Sequence, residues 1–247
     1  MISILTVTKR DGWQGPAVRS LQRNFMSLGK KKGHPAFYEW VIVAEDTGTK
    51  NMKWLQEEAL VPIPFTILQA PPKKVGNFSN LSASNNLGLK HCRGDYVVFY
   101  QDFIELEPDC IEKLVALATP TTFVTTLTRN PEGELEDGRY TWQDEVRTCW
   151  PEEWEENVGL APMAILRELG GYDEEYDQGW AWNNCNVAER AEMLGCNFLL
   201  DETNRPQLIY HKKEPELNPD MPLNGDFHVK RMNDIREGKF PLRLNYL

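Results

Sequence analysis

The sequence predicts an α/β protein in which parallel strands alternate with crossover helices. Two observations carry this. Short apolar runs of strand length are separated by segments with helical spacing. From Gly94 to Pro108 a buried-strand pattern, Tyr96-Val97-Val98-Phe99-Tyr100, runs into an isolated carboxylate, Asp102, and then a proline-started helix. In open α/β sheets the carboxyl ends of the strands are where ligands bind, so Asp102 stands where a metal and a diphosphate would sit.

Taken in order, Ile2 to Val7 reads as the first strand, and residues 16–28 place Val18, Leu21, Phe25 and Leu28 at helical spacing before Gly29. Trp40 to Ala44 is the second strand, Met52 to Leu60 a short helix, and Phe65 to Leu68 the third strand. A helix from Leu81 to Cys92 takes Ser79 or Asn80 as its cap. Tyr96 to Tyr100 is strand four, Pro108 to Leu117 a helix and Phe123 to Leu127 strand five. Residues 129–156 are acidic, tryptophan-rich and loop-like, which suits a lid or acceptor wall better than disorder. Ala161 to Leu169 and Asn183 to Leu194 read as helices, Phe198 to Leu200 and Gln207 to Tyr210 as strands rejoining the sheet. The proline-rich tail holds one short helix near 226–236.

Composition bounds the function. The 247 residues, 41% hydrophobic and 26% charged, describe one globular unit with a modest appendage. The opening strand lacks the flanks of a signal peptide and no apolar run reaches the ~20 residues of a membrane helix, so the expected location is cytoplasmic. Five cysteines form no C-x-x-C pair, which points to reduced thiols rather than a zinc knuckle. A formal charge of −10 disfavours a grip on long duplex nucleic acid, although Lys30 to Lys32, Lys73-Lys74 and Lys212-Lys213 are local basic clusters.

Four stretches, in order, resemble GT-A-fold glycosyltransferases of the family 2 type over most of residues 2–212. They are Ile2 to Arg10, Val41 to Thr49, Ser84 to Asp102 with its Asn86-Leu87-Gly88-Leu89 signature, and Gly170 to Glu174 followed by a tryptophan-rich turn and Asn186 to Arg190. The resemblance implies a Rossmann-like three-layer sandwich with a mixed, mostly parallel sheet, a domain over 1–212 and an extension over 213–247 packing on it. It implies transfer of a hexosyl or pentosyl group from a nucleotide-diphosphate sugar, UDP favoured, to an acceptor hydroxyl on a glycan, a small molecule or a modified nucleic acid.

Such chemistry must stabilise a departing diphosphate, which a hard divalent cation, Mn²⁺ or Mg²⁺, does. The family's Asp-x-Asp is reduced here to Gln101-Asp102-Phe103, leaving Asp102 as metal or diphosphate ligand or, more plainly, as a turn cap. By resemblance His211 is the late metal-binding histidine, Glu45 and Asp46 recognise the base, and Thr6, Thr8 and Arg10 line the base or phosphate side. Asn80, Asn86 and Gln101 complete the donor site, with Asn80 alternatively a helix cap and Asp46 a turn residue. Trp180 and Trp182 offer flat apolar walls for a sugar or belong to the core.

The resemblance places an acidic pair at Asn183 and Asn184, and an amide cannot take a proton. Asp173, Glu174 or Asp177 then supplies the base, or the reaction retains configuration, or the protein binds without catalysing. A nucleotidyltransferase is a second enzymatic reading, for which Asp11 to Gly15 is a poor phosphate loop.

Overall fold

The computed structural model describes residues 1–8, 18–24, 39–48, 52–53, 64–73, 80–129, 143–179, 181–209 and 224–247. Strands β1 (Ile2–Thr8), β2 (Glu39–Ala44), β3 (Phe65–Gln69), β4 (Tyr96–Tyr100), β6 (Thr122–Thr125), β7 (Val146–Thr148), β8 (Val158–Pro162) and β9 (Asn197–Asp201) form one sheet in the order β3-β2-β1-β4-β8-β6-β9-β7. The pairs β1/β2, β2/β3, β1/β4 and β6/β9 are parallel, and β8 and β7 run against their neighbours. The two-residue strands β5 (Ile104–Glu105) and β10 (Gln207–Leu208) pair as a separate ribbon.

The strands are apolar on both faces because helices cover both. Ile2, Ile4, Trp40, Ile42, Val98, Tyr100 and Leu160 pack with helical residues 18–24 and helix α2 (Cys110–Ala116). Leu5, Val41, Val43, Val97, Phe99 and Ala161 pack on the opposite face with α1 (Leu81–His91), α3 (Met163–Leu169) and α4 (Asn183–Met193). This is the mixed three-layer architecture expected.

Several local readings are corrected. Val158 to Pro162 is a central strand between β4 and β6, where a helix was expected from Ala161. The strand ends at Pro162, which is the N-cap of the helix that starts at Met163, so the expected helix begins two residues later. Helix α2 begins at Cys110, two residues after Pro108, because the Asn24 carboxamide accepts from the Ile111 amide and donates to the Glu107 carbonyl. Residues 207–208 pair with β5 rather than rejoining the main sheet. In the tryptophan-rich stretch Trp154 is core, meeting Phe99 and Phe123 edge-on at 5.5 and 5.4 Å, while Trp150 is exposed.

The tail forms α5 (Gly225–Arg236), and the chain end returns to the Gly170 turn through Leu244 N to Leu169 O at 2.7 Å and Tyr246 N to Gly170 O at 3.0 Å. Gly170 caps α3 at φ 72°, and a Cβ there would lie 1.7 Å from the Leu244 carbonyl oxygen. Gly170→Ala is therefore expected to destabilise by about 2 kcal/mol or more, from left-handed strain and overpacking together. Urea denaturation tests this, and a change inside about 0.5 kcal/mol would contradict the packing described.

Candidate functional site

The strand order reverses at β1, with β2 and β3 following on one side and β4 on the other. The crevice at the carboxyl ends of β1 and β4 is the switch point of the sheet. Thr8, the last residue of β1, donates its hydroxyl to Asp102 Oδ2 at 2.6 Å, and both residues are buried. The Thr8 carbonyl accepts from Glu45 N at 3.1 Å, so three predicted residues meet at the ends of three adjacent strands. Glu45 Oε2 pairs with Lys73 Nζ at 3.2 Å, whereas its Oε1 is enclosed without a hydrogen-bond partner among the described residues. An enclosed acceptor of this kind marks a place where a donor from a ligand or water belongs.

The other donor-side residues are placed differently. Thr6 accepts from the Trp40 indole N–H at 3.0 Å on a covered face, so its hydroxyl is engaged away from the crevice. Asp46 accepts from Gly48 N at 2.8 Å, the turn geometry its Asp-Thr-Gly setting favours. The backbone N–H of Gln101 donates to Asn157 O at 3.2 Å, joining the end of β4 to the turn before β8. Arg10, Trp180, His211 and the Asp11 to Gly15 loop lie outside the described residues.

Helix α1 points its N-terminus at this edge. Asn80 does not cap it; its side chain donates to the Pro71 carbonyl. The cap comes from far along the chain, where both oxygens of Asp177 accept from Ser82 N and Ala83 N at 2.8 and 2.9 Å. Asn86 is likewise a structural bridge, accepting from Tyr172 N and donating to Tyr172 O and Glu174 Oε1. Two clefts flank the helix. One of about 350 Å³ is lined by Pro71, Asn80, Asn86, Lys90, Glu174 and Asp177. The other, of about 150 Å³, lies between the starts of α1 and α4 and is lined by Ser82, Tyr176, Asp177, Ala181 and Asn183.

Among the described residues the Asn183 Nδ2 in that smaller cleft has no partner, whereas Asn184 donates to the Trp154 carbonyl at 2.9 Å. Ala181 and Trp182 have φ values of 65° and 69°, a strained left-handed turn ahead of α4. Asn224 holds it by donating to Tyr176 O and Ala181 O, and the His228 ring stacks on Trp182 with centroids 4.9 Å apart. Trp182 is 37% exposed, so it lies at the surface rather than in the core. His228 in turn meets Tyr176 Oη at 2.9 Å and Glu189 Oε1 at 2.6 Å.

Of the predicted acids, Asp173 accepts from Glu175 N at 3.0 Å and pairs with Arg231 at 3.3 Å. Burial raises the carboxyl pKa of Asp173, opposed by the Glu175 amide and Arg231. Burial also raises that of Asp177, opposed by the amides of α1. A further buried acid, Glu156, escaped the sequence reading because it ends the acidic run Pro151-Glu152-Glu153-Trp154-Glu155-Glu156. The signal that could have found it is the alternation: Trp154 and Glu156 turn inward and Glu155 outward, as in an extended segment. Glu156 is 7% exposed, and its Oε2 accepts from Asn85 at 3.2 Å. Burial pushes its carboxyl up to about 7, with the Tyr172 hydroxyl and the Asn85 amide opposing.

Among the described residues no cluster of three His, Cys, Asp or Glu side chains could hold a metal by itself. Asp102 as a single hard ligand fits a cation that shares its coordination with substrate phosphates, as Mg²⁺ sites commonly do. No described helix is long and apolar enough to cross a membrane.

Residues 73–181 match the family described as Glycosyl transferase family 2. No curated protein matches the chain. Among solved structures, GalNAc-T7 with UDP, GalNAc and Mn²⁺ superposes with a TM-score of 0.58 at 16% identity, covering 85% of this chain and 44% of that one. Staphylococcus aureus TarS 1–349 with UDP-GlcNAc gives 0.63 at 11% identity, covering 95% and 65%, and the same protein with UDP gives 0.57 at 11%, covering 84% and 60%. The chain thus spans less than two thirds of each of these relatives. At these identities the likeness shows the fold, which is the GT-A fold of glycosyltransferases.

Two stability measurements follow from the buried acids. Asp177→Ala removes the cap of α1 and should cost about 1–2 kcal/mol; an unchanged urea midpoint would contradict the capping role. Glu156 has an ordinary carboxyl value of 4.5 when unfolded and about 7 when folded. The folded state holds the proton more tightly, so this group makes stability fall as pH rises from about 4.5 to 7, and its penalty is complete above 7. Glu156→Gln should match the wild type near pH 4 and exceed it at pH 8, by on the order of 3 kcal/mol; equal stability at both pH values would show that Glu156 titrates normally.

Proposed function

We propose that this chain is a nucleotide-sugar-dependent glycosyltransferase with a UDP-sugar as its favoured donor and a hydroxyl as its acceptor. The observation that carries the reading is the meeting of Thr8, Glu45 and Asp102 at the switch point, with one Glu45 oxygen enclosed and without a hydrogen-bond partner among the described residues. A uracil ring presents an imide N–H, which an enclosed carboxylate oxygen accepts well. The family 2 match and the UDP and UDP-GlcNAc complexes of the structural neighbours support the same donor class.

In this reading the diphosphate lies over the ends of β1 and β4, and Arg10 and Lys73 lend positive charge on the base and phosphate side. Asp102, with His211 as a second ligand, would hold a divalent cation shared with the diphosphate, and the Mn²⁺ in the GalNAc-T7 complex supports that choice. When bound, such a cation supplies charge stabilisation to the departing diphosphate. Trp180 and Trp182 wall the acceptor side, and Asn183 holds a sugar or acceptor hydroxyl by its free amide. Asp177 shapes this wall by holding the amides of α1 with both oxygens, and Asp173 gives one oxygen to Glu175 N and turns the other toward Arg231. We assign the catalytic unit to residues 1–212 and an extension to 213–247. The five free cysteines support a cytoplasmic setting.

The amides at Asn183 and Asn184 favour one competing reading, a protein that binds a sugar nucleotide without turning it over. A thermal-shift screen of nucleotide sugars with Mn²⁺, followed by assay of UDP release, separates the two. The enzyme reading expects a uridine-selective shift together with UDP release, and Asp102→Ala should lower release at least 100-fold. Selective binding with no release across hexosyl and pentosyl donors would favour the binding protein, and undiminished release by Asp102→Ala would remove that residue from the mechanism.

A further inference from the structure

Resting on the glycosyltransferase reading, we infer that Trp182 is the platform on which the acceptor lies, and that the acceptor is a sugar ring carrying no charge. The first observation is the backbone. Ala181 and Trp182 hold φ values of 65° and 69°, where a glycine would escape the crowding that a side chain meets. A tryptophan kept in such a place is there for its ring, and residues held this way cluster at ligand sites. Asn224 fixes the turn by donating to Tyr176 O and Ala181 O at 2.8 and 3.0 Å.

The second observation is how the ring is braced. The buried His228 imidazole lies against one face of the indole, 27° from parallel, with centroids 4.9 Å apart. Both imidazole nitrogens are engaged: Nδ1 meets Tyr176 Oη at 2.9 Å, and Nε2 meets Glu189 Oε1 at 2.6 Å. Glu189 Oε2 accepts from Arg236 at 2.9 Å, which ties α4 to α5 behind the stack. With that face covered the indole is still 37% exposed, so it presents apolar surface outward on a fixed backing. A group ordered before its ligand arrives saves the cost of ordering it on binding.

The third observation says what the platform takes. Ala181 and Asn183, on either side of Trp182 in the chain, line the cleft of about 150 Å³, a size that takes one six-membered ring. No Lys, Arg or His is among the described residues lining it, and both Asp177 oxygens are held by the amides of α1. A phosphate, whether on a small molecule or in a nucleic-acid backbone, would find no countercharge there. Asn183 Nδ2, enclosed and without a hydrogen-bond partner among the described residues, offers a neutral donor to a hydroxyl oxygen. A sugar ring matches this pair of surfaces, with C–H groups over its face for the indole and hydroxyls around its rim for the amide. His228 is the positioning residue of the site, since it acts through Trp182.

Methyl glycosides of glucose, galactose, mannose, N-acetylglucosamine and N-acetylgalactosamine are tested for binding to the protein saturated with UDP and Mn²⁺, by saturation-transfer difference NMR. A serine peptide and single-stranded DNA are tested in the same way, and UDP affinity is measured by calorimetry. The expected result is that the wild type binds at least one glycoside, with saturation concentrated on ring C–H protons. In Trp182→Gly its Kd should rise roughly tenfold or more while UDP affinity is unchanged. Glycine suits the left-handed turn, so this variant keeps the fold. Trp182→Phe should recover part of the glycoside affinity, and His228→Phe, which keeps a ring behind the indole, should retain more of it than His228→Ala. Equal glycoside affinity in Trp182→Gly and the wild type would overturn the assignment. So would a wild type that binds UDP but no glycoside, whether or not it takes the peptide or the DNA. Failure of the wild type to bind UDP at all would instead remove the reading beneath it.

Discussion

The hydrogen bond from Thr8 to Asp102 is the constraint on which the site depends. A carboxylate that is almost fully buried must be satisfied by hydrogen bonds or by a cation, since its desolvation is costly. Placing it at the end of β4 against the end of β1 turns that requirement into a device that aligns two strands at the point where the sheet order reverses. Glu45 joins the same edge through the Thr8 carbonyl, so the ends of β1 and β2 are held together by the backbone.

A second constraint ties the start of α4 to this frame. Asp177 reaches from the segment before α4 to cap α1, and Asn224 and His228 of the C-terminal segment hold the left-handed Ala181-Trp182 turn. Strain of this kind persists only where surrounding contacts over-determine it, and such places are commonly functional. The C-terminal helix is thereby part of the wall that presents Trp182. Arg231 adds to the same clamp, lying over the Phe240 ring and pairing with Asp173 and Glu175.

What could be read in the sequence was local. Strands β1, β2, β3 and β4, the helix α1 between the last two, the carboxylate after Tyr100 and the helix near 226–236 all announce themselves by period or by strand-end position. What escaped is what distant residues decide. Strand β8 is a strand because β4 and β6 flank it, α1 is capped from residue 177 rather than by Asn80, and Asn24 sets where α2 begins. Glu156 was hidden in an acidic run because carboxylates there read as solvated, and only Trp154 packing between Phe99 and Phe123 carries it inside.

The account turns on whether the Thr8-Asp102 edge receives a uridine diphosphate together with a divalent cation. Titrating UDP into the wild type and into Asp102→Asn, each with and without Mn²⁺, reads this directly by calorimetry. The account predicts that Mn²⁺ strengthens UDP binding at least tenfold in the wild type and has no such effect in the variant. Equal enhancement in both proteins, or no UDP binding by either, would contradict it.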